Sequence, residues 1–498
     1  MHGGPSGYRD ARPVVAMVNT NRIRPVVAPI AFDYLYEPLC EAGFAPILLD
    51  LCFEDDWRPA IMRMVARNAP DFWGVTLRNT DDACFSGKHS FLDLVRDMIN
   101  EIRAWSASPV VLGGVGFSIA PGAILSRCGA DFGIQREGER SFPELMSRLR
   151  KGAPVDDIPG LVFRRRDEIV VVPPGMADLS ETPARRRAFV DNARYFAEGG
   201  MVAIETKRGC NRSCIYCVEP GVKGRKVRLR PPALAVDEME RLADRGLDAF
   251  HINDSEFNLD VEHAHAFCDE IRRRGDLARR IRWYAYGMPH PFPQQLADAM
   301  IAAGCAGMNF GVDSADDRIL RAIRRTFRQR HIVQMLETCR KAGLLSMIEL
   351  LFGFPEETYE TAENSIRFMQ ACDAPLVSLT AGIRVFPGTV MAEIVAREGL
   401  SNSNPNLHGA IEGNEQMLEP LFYLPSRLGP DFVGAISRLV AGDSRFLPMN
   451  SPIMNYDDNV ILVEEIAKGA RGAYWDILNR WRKRQSLDEP AGLTEARS

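Results

Sequence analysis

RGCNRSCIYCVEP, Arg208 to Pro220, decides how the rest of this chain is read. It sets Cys210, Cys214 and Cys217 in a C-x3-C-x2-C spacing directly after the apolar run MVAIETK (201–207). A closed zinc site asks for four Cys or His ligands, usually as two short-spaced pairs. No second pair follows, and the next cysteine is Cys268. Burial as small apolar groups suits cysteines in a core, but a Gly-Cys-Asn-Arg loop after a strand is a poor place for it. Three thiolates can instead hold a [4Fe–4S] cluster and leave one iron open to a substrate or cofactor.

Outward from this loop the chain alternates strand-like and helix-like segments. Apolar runs at 201–207, 249–253, 281–286, 307–313, 345–354 and 376–386 predict six strands separated by helices over 200–390. That order suggests a partial (β/α)6 barrel, which gathers function at the C-terminal strand ends. Before it, 12–150 reads as five βα units with strands near 13–19, 45–51, 72–77, 109–114 and 130–134. Their continuous apolar runs fit buried parallel strands in a doubly wound, Rossmann-like α/β domain. Residues 151–199 read as a hairpin and linker, and 391–498 as a helical C-terminal region.

Composition narrows the partners. The chain has 498 residues, 46% of them hydrophobic, and a net charge of −5. Nothing there points to nucleic acid or a membrane surface. Arg480, Arg482, Lys483 and Arg484 make a short basic run that suits a solvated helix end. No apolar run reaches about 18 residues, and MHGGPSGYRDARP lacks a signal-peptide core. Eleven cysteines without such a signal suggest a reducing cytoplasm rather than a disulfide framework.

The cysteine loop, with Tyr216 directly before its last cysteine, resembles that of the radical SAM enzymes. The resemblance implies a [4Fe–4S] cluster on Cys210, Cys214 and Cys217 whose open iron binds S-adenosylmethionine (SAM), with Tyr216 as a catalytic-loop residue. Later strand ends are similar in order. NDSEFN (253–258) stands where the family carries glycine-glycine-glutamate, so Asp254, Ser255 and Glu256 are candidates for the SAM amino group. A carboxylate such as Glu256 suits an ammonium, while Asp254 and Ser255 also suit a helix cap. GVDS supplies Asp313 and Ser314. GFPEET supplies Gly353 and Pro355, with Glu356 where glycine is usual. RVFPGT supplies Arg384.

Two N-terminal stretches, VLGGVGFS (111–118) and QREGERSF (135–142), resemble parts of the cobalamin-binding domain that precedes many radical SAM barrels. Gly113, Gly114, Glu137, Gly138 and Glu139 are the cobalamin candidates this implies. The Asp-x-His-x-x-Gly motif of histidine-ligated cobalamin does not occur. TLRNTDD (76–82) is instead similar to the Arg-Asn-x-Asp element of the tryptophan C-methyltransferase type. By that resemblance Arg78 lies below the cobalt without ligating it, with Asn79 and Asp81 beside the corrin. The plainer alternative is a salt bridge from Arg78 to Asp81 or Asp82.

The resemblance therefore implies a cobalamin-dependent radical SAM enzyme. It would methylate an unactivated carbon or phosphorus of a small metabolite through methylcobalamin, in natural-product biosynthesis. An external donor of flavodoxin or ferredoxin type would supply electrons. The alternative keeps the cofactors but performs ring closure, rearrangement or aminocarboxypropyl transfer. A sensing module would have no use for so full a set of strand-end elements. For substrate contact, Tyr286, His290 and the loop GMPHPFP (287–293) stand at a strand end, and Trp283 and Tyr284 alternate faces so that both cannot point inward.

Overall fold

The computed structural model describes residues 12–447, 449 and 455–488. The signal-peptide reading of the first residues falls mostly outside them. The chain divides into two compact units. Among the described residues, one comprises 12–22, 29–79 and 91–177; the other comprises 23–28, 80–90 and those from 178 on.

The first unit is built on a seven-stranded sheet in the order β2-β1-β3-β4-β5-β6-β7. Five parallel strands come first: β1 (Val14–Asn19), β2 (Ala45–Asp50), β3 (Phe72–Thr76), β4 (Val110–Gly113) and β5 (Phe132–Ile134). Their near-continuous burial is that of strands covered on both faces, as the apolar runs predict. The 2-1-3-4-5 order is doubly wound, and such sheets bind ligands beyond the carboxyl ends of their strands. The expected hairpin, β6 (Leu161–Arg165) and β7 (Glu168–Val171), is present; it joins antiparallel to β5 and extends this sheet.

The second unit carries the cysteine loop. After β8 (Val202–Ile204), a small antiparallel hairpin of β9 (Lys207–Arg208) and β10 (Arg228–Leu229) encloses the three cysteines. Then follow β11 (Ala249–Ile252), β12 (Arg282–Gly287), β13 (Cys305–Asp313), β14 (Ser346–Phe352) and β15 (Val377–Ala381). All pair in parallel with β8 and with each other in chain order, so the six expected strands form one curved sheet. β16 (Ile383–Arg384), β17 (Leu407–Gly409) and β18 (Leu421–Tyr423) make a separate antiparallel sheet, and β19 (Phe446–Leu447) extends the barrel sheet beyond β15. Short strands thus interrupt the otherwise helical C-terminal region.

Strand alternation sorts the barrel side chains. Ile204, Phe250, Trp283, Met308, Ile348 and Leu379 join the large core formed with the helices. The alternate residues, His251, Tyr284, Tyr286, Asn309, Met347, Glu349 and Thr380, belong to the other, concave face. Trp283 therefore packs outward on Phe257 and Phe267. Tyr284 joins Met347, Leu447 and Trp475 in a second cluster, and its hydroxyl donates to Asp476 at 2.8 Å. Trp475, in the first turn of the helix Tyr474–Asp488, thus plugs one end of the concavity. Gly307 leaves room for it, since a Cβ there would lie 2.7 Å from the indole.

Trp475→Ala removes a 3% exposed indole from this plug. The expected loss is about 3–5 kcal/mol, read from urea unfolding. A loss under about 1 kcal/mol would show the plug to be peripheral to the barrel.

Candidate functional site

The cysteine loop is held from its base. Asp254, at the end of β11, accepts from the Thr206 amide (2.9 Å), the Lys207 amide (3.1 Å), the Thr206 hydroxyl (2.6 Å) and Lys207 Nζ (2.7 Å). Both partners of this ion pair are buried. Lys207 also donates to the Phe257 carbonyl at 3.0 Å. Its charge and the hydrogen bonds from Thr206 hold the Asp254 carboxyl below its ordinary range despite burial. Three residues beyond Lys207 comes Cys210, whose amide donates to the Gly224 carbonyl at 3.0 Å. Gly209 between them has φ +93°, and a Cβ there would meet the Lys226 carbonyl at 2.2 Å. Only glycine lets the hairpin close this tightly.

The three cysteines are free thiols, Cys210 buried and the other two half-buried. Burial pushes Cys214 to about 11 and Cys217 to about 12, and raises Cys210 as well. Buried thiols of this kind become ligands when a metal supplies the compensating charge. Among the described residues no three Cys, His, Asp or Glu groups converge as one metal ion requires. A cluster asks for something else, one thiolate on each of three irons, and the donor set fits that chemistry.

The far end of the loop is locked by Tyr216. Its hydroxyl donates to Asp313 Oδ2 at 2.9 Å and accepts from Arg325 at 2.8 Å, while Arg325 Nε donates to the same carboxylate at 2.5 Å. Burial pushes the phenol well up, so it stays protonated. Asp313 ends β13 with φ 63°, an uncommon conformation for a residue other than glycine, next to a break in the β13–β14 register. Glu256 lies 3.7 Å from Arg325. Burial raises its carboxyl to about 7 against the pull of Arg325. Tyr216, Asp313 and Glu256 were all legible as candidates. Arg325, which joins them, sits in AIRRTFRQ and carries no motif signal.

The remaining barrel candidates have protein partners. Ser255 donates to Glu219 at 2.5 Å, and Ser314 caps the Asp316 amide beside Ser365. Gly353, with φ +123°, and Phe354 donate their amides to Glu357, which is fully buried. Pro355 follows, half-buried. Arg384 and Asp81 meet each other: two guanidinium nitrogens reach Asp81 Oδ2 at 3.1 and 2.8 Å, both residues buried. Asp81 belongs to the segment 80–90 that clusters with the second unit. In that segment Phe85 packs on Phe422 and on Gly382, where a Cβ would lie 2.3 Å from its ring.

In the first unit the cobalamin candidates gather at the carboxyl ends of β3, β4 and β5. Gly114 has φ +105°, and its Cβ would meet the Leu77 carbonyl at 2.4 Å. Gly116 donates to the Leu77 and Arg78 carbonyls. The glycines thus seat one strand-end loop on the next. Gly113 and Gly138 are roomier and half-buried, and Val115 stands 45% exposed between the glycines. Glu137 accepts from the Ala177 amide at 2.8 Å, and Glu139 is half-buried. Among the described residues Arg78 has no carboxylate partner. The orientation of the Asn79 amide that satisfies its surroundings pairs it with Arg78. An apolar side chain left in the open, close backbone loops and a guanidinium without a carboxylate partner fit a large, partly apolar corrin.

A family model for the radical SAM superfamily matches residues 204–369, and one for the B12 binding domain matches residues 17–146. The chain is 31% identical to tryptophan 2-C-methyltransferase of Streptomyces laurentii, over 96% of this chain and 97% of that one. It is similar to the solved radical SAM methyltransferase TsrM of Kitasatospora setae with tryptophan and a SAM analogue bound. That likeness has a TM-score of 0.87 and 31% identity and covers 96% of this chain and 100% of that one. The same enzyme with cobalamin and a [4Fe–4S] cluster bound gives a TM-score of 0.84 and 30% identity, covering 97% of this chain and 100% of that one.

Arg384→Ala leaves the buried Asp81 carboxylate without its cation, held only by the Thr80 hydroxyl and the Ala83 amide, so the expected stability loss is about 3–5 kcal/mol in urea unfolding. Weaker corrin or SAM binding at unchanged stability would instead place Arg384 against a cofactor. The Glu357 carboxyl is pushed up to about 8 by burial, which outweighs the two amides donating to it. An acid with a raised pKa in the fold releases its proton more readily when unfolded. Stability therefore falls as pH rises from about 4.5 to about 8. Glu357→Gln should flatten that slope in thermal melts, and an unaltered slope would assign it to other groups.

Proposed function

We propose that this chain, which belongs to the cobalamin-dependent radical SAM methyltransferases, methylates an unactivated ring carbon of tryptophan or a close indole relative. Its activity is methyl transfer, not ring closure or aminocarboxypropyl transfer, and its cofactors are a [4Fe–4S] cluster, SAM and cobalamin. The observation that carries the substrate is the extent of the likeness. The family models stop at residue 369, yet the likeness to the tryptophan enzyme covers 96% of the chain. It therefore reaches into the C-terminal region, whose Trp475 and Tyr456 pack on or beside the barrel's concave face.

Cys210, Cys214 and Cys217 hold the cluster, and Glu256, Asp313 and Arg325 form the charged wall beside it. Arg325 neutralises Asp313 and leaves Glu256, whose carboxyl burial raises to about 7, as the acceptor for the amino group of SAM. Tyr216 keeps the cysteine loop seated on β13. In the first unit Arg78 would help hold the corrin, with Asn79 orienting its guanidinium. A guanidinium has no lone pair to ligate cobalt, and its fixed charge favours an electron-rich metal. Gly113, Gly114, Gly138 and the backbone around them receive the rest of the ring. When bound, cobalamin carries a methyl group from SAM toward the substrate carbon. A flavodoxin- or ferredoxin-type donor and a cytoplasmic setting belong to the same proposal. Among the described residues no helix is long and apolar enough to cross a membrane.

The test is anaerobic. Protein reconstituted with iron, sulfide and cobalamin receives SAM, a reductant and tryptophan, and products are read by mass spectrometry. S-adenosylhomocysteine with a ring-methylated tryptophan is the expected result. S-adenosylhomocysteine formed without any methylated indole would overturn the substrate assignment. Replacing the three cysteines by Ala should abolish cluster absorbance and leave corrin binding in place; joint loss in a folded variant would contradict the separation of the two cofactor sites.

A further inference from the structure

The concave face of the barrel holds polar groups that neither the cluster loop nor the corrin loops use. Tyr286 is 38% exposed although it sits inside a sheet whose other face is core, and Thr380 is exposed as well. Their exposure, above an end plugged by Trp475, marks open space within the sheet's curve. His251 lies beside Tyr286, with ring centroids 5.0 Å apart. Glu349 on β14 accepts one hydrogen bond, 2.8 Å from Asn309 Nδ2. Asn309, only 1% exposed, keeps its Oδ1 without a partner. Among the described residues Glu349 pairs with no cation. Tyr456 lies close enough for Glu349 and Tyr286 to raise its phenol further above its ordinary value.

These groups share one character. Glu349 is an acceptor beside Tyr286, His251 and Tyr456, and the buried Asn309 stands behind it as its hydrogen-bond partner. Burial pushes the His251 ring down to about 4, so it adds no positive charge near neutral pH. The same burial raises the Glu349 carboxyl, with Asp313 adding to the rise and Arg325 opposing it. A desolvated carboxylate beside an unpaired carbonyl oxygen is costly until a donor-bearing cation arrives. A hydroxyl would satisfy the oxygens but leave the charge uncompensated. An ammonium satisfies both, and the flanking aromatic rings suit a cation or a ring attached to it.

We propose that Glu349 and Asn309 form the subsite for a substrate ammonium group, so that the enzyme selects aromatic primary amines over their desamino counterparts. This rests on the indole reading above and extends it to the other end of the substrate. Asn309 is a positioning residue that holds the carboxylate through its Nδ2.

The test uses reconstituted holoenzyme with SAM. It compares tryptophan, tryptamine and indole-3-propionate in wild type, Glu349→Gln and Glu349→Asp, with SAM affinity measured in parallel. Loss of a charged hydrogen bond predicts an about 10- to 100-fold higher KM for the two amines in Glu349→Gln, with partial recovery in Glu349→Asp. The preference for tryptophan over indole-3-propionate should collapse while SAM affinity stays at its wild-type value. A weakened SAM affinity would overturn the proposal, since the acceptors would then serve the ribose or ammonium of SAM. So would an unchanged preference, or a wild type that uses indole-3-propionate as well as tryptophan. If the wild type methylates no indole at all, the substrate reading falls first and this subsite with it.

Discussion

The carboxylate of Asp254 is what the cysteine loop hangs on. It takes four hydrogen bonds from Thr206 and Lys207, and the lysine's charge is buried with it. A pair placed so deep is costly to strip of water and survives because every oxygen has a donor. The result is geometric. The chain leaves β8 at a set angle, reaches Cys210 three residues later, and turns back through Gly209 against Lys226. Without that anchor the three thiols would sit on an ordinary surface loop. They would still attract iron, but would not present a cluster to the strand ends where the other polar groups stand.

From this anchor the site spreads around the barrel. Tyr216 carries the loop across to Asp313 and Arg325, and Arg325 reaches Glu256 on the strand end that Asp254 begins. The circuit closes on itself, so the loop, β11 and β13 are mutually positioned by charge as well as by the sheet. Glu357 does the comparable task at β14, gripping the amides of Gly353 and Phe354, and Phe354 packs on Tyr216. On the convex side the same strands bury large apolar residues against helices, giving the polar circuit a rigid support.

Much of this was readable from residues. The cysteine spacing named the cluster because thiolate count and spacing are chemical requirements that the chain must satisfy locally. The six barrel strands were visible as short apolar runs because parallel strands covered by helices leave that pattern. Glu256, Asp313 and Gly353 were visible for a similar reason: they sit where a strand ends, and strand ends can be located by period. Arg78 and the glycines near 113 could be singled out because the element around each is short and contiguous.

What the sequence hid were pairings between residues far apart in the chain. Asp81 and Arg384 each suggested a cofactor contact, yet they are 303 positions apart and neutralise one another. Arg325, Lys207, Glu349 and Asn309 carry no local signal, since a single charged or amide residue reads the same on a surface as at a buried site. Trp283 and Tyr284 could be assigned opposite faces by alternation, but not which face held the core. Sequence by itself determined the order of the domains, the candidate cluster ligands and the strand ends that carry the other candidates, because these are set by neighbours within a few residues. Tertiary structure alone decided which charges are paired and which acceptor remains open, because that depends on which side chains the curved sheet brings within about 3 Å of each other in a medium that penalises any left unpaired.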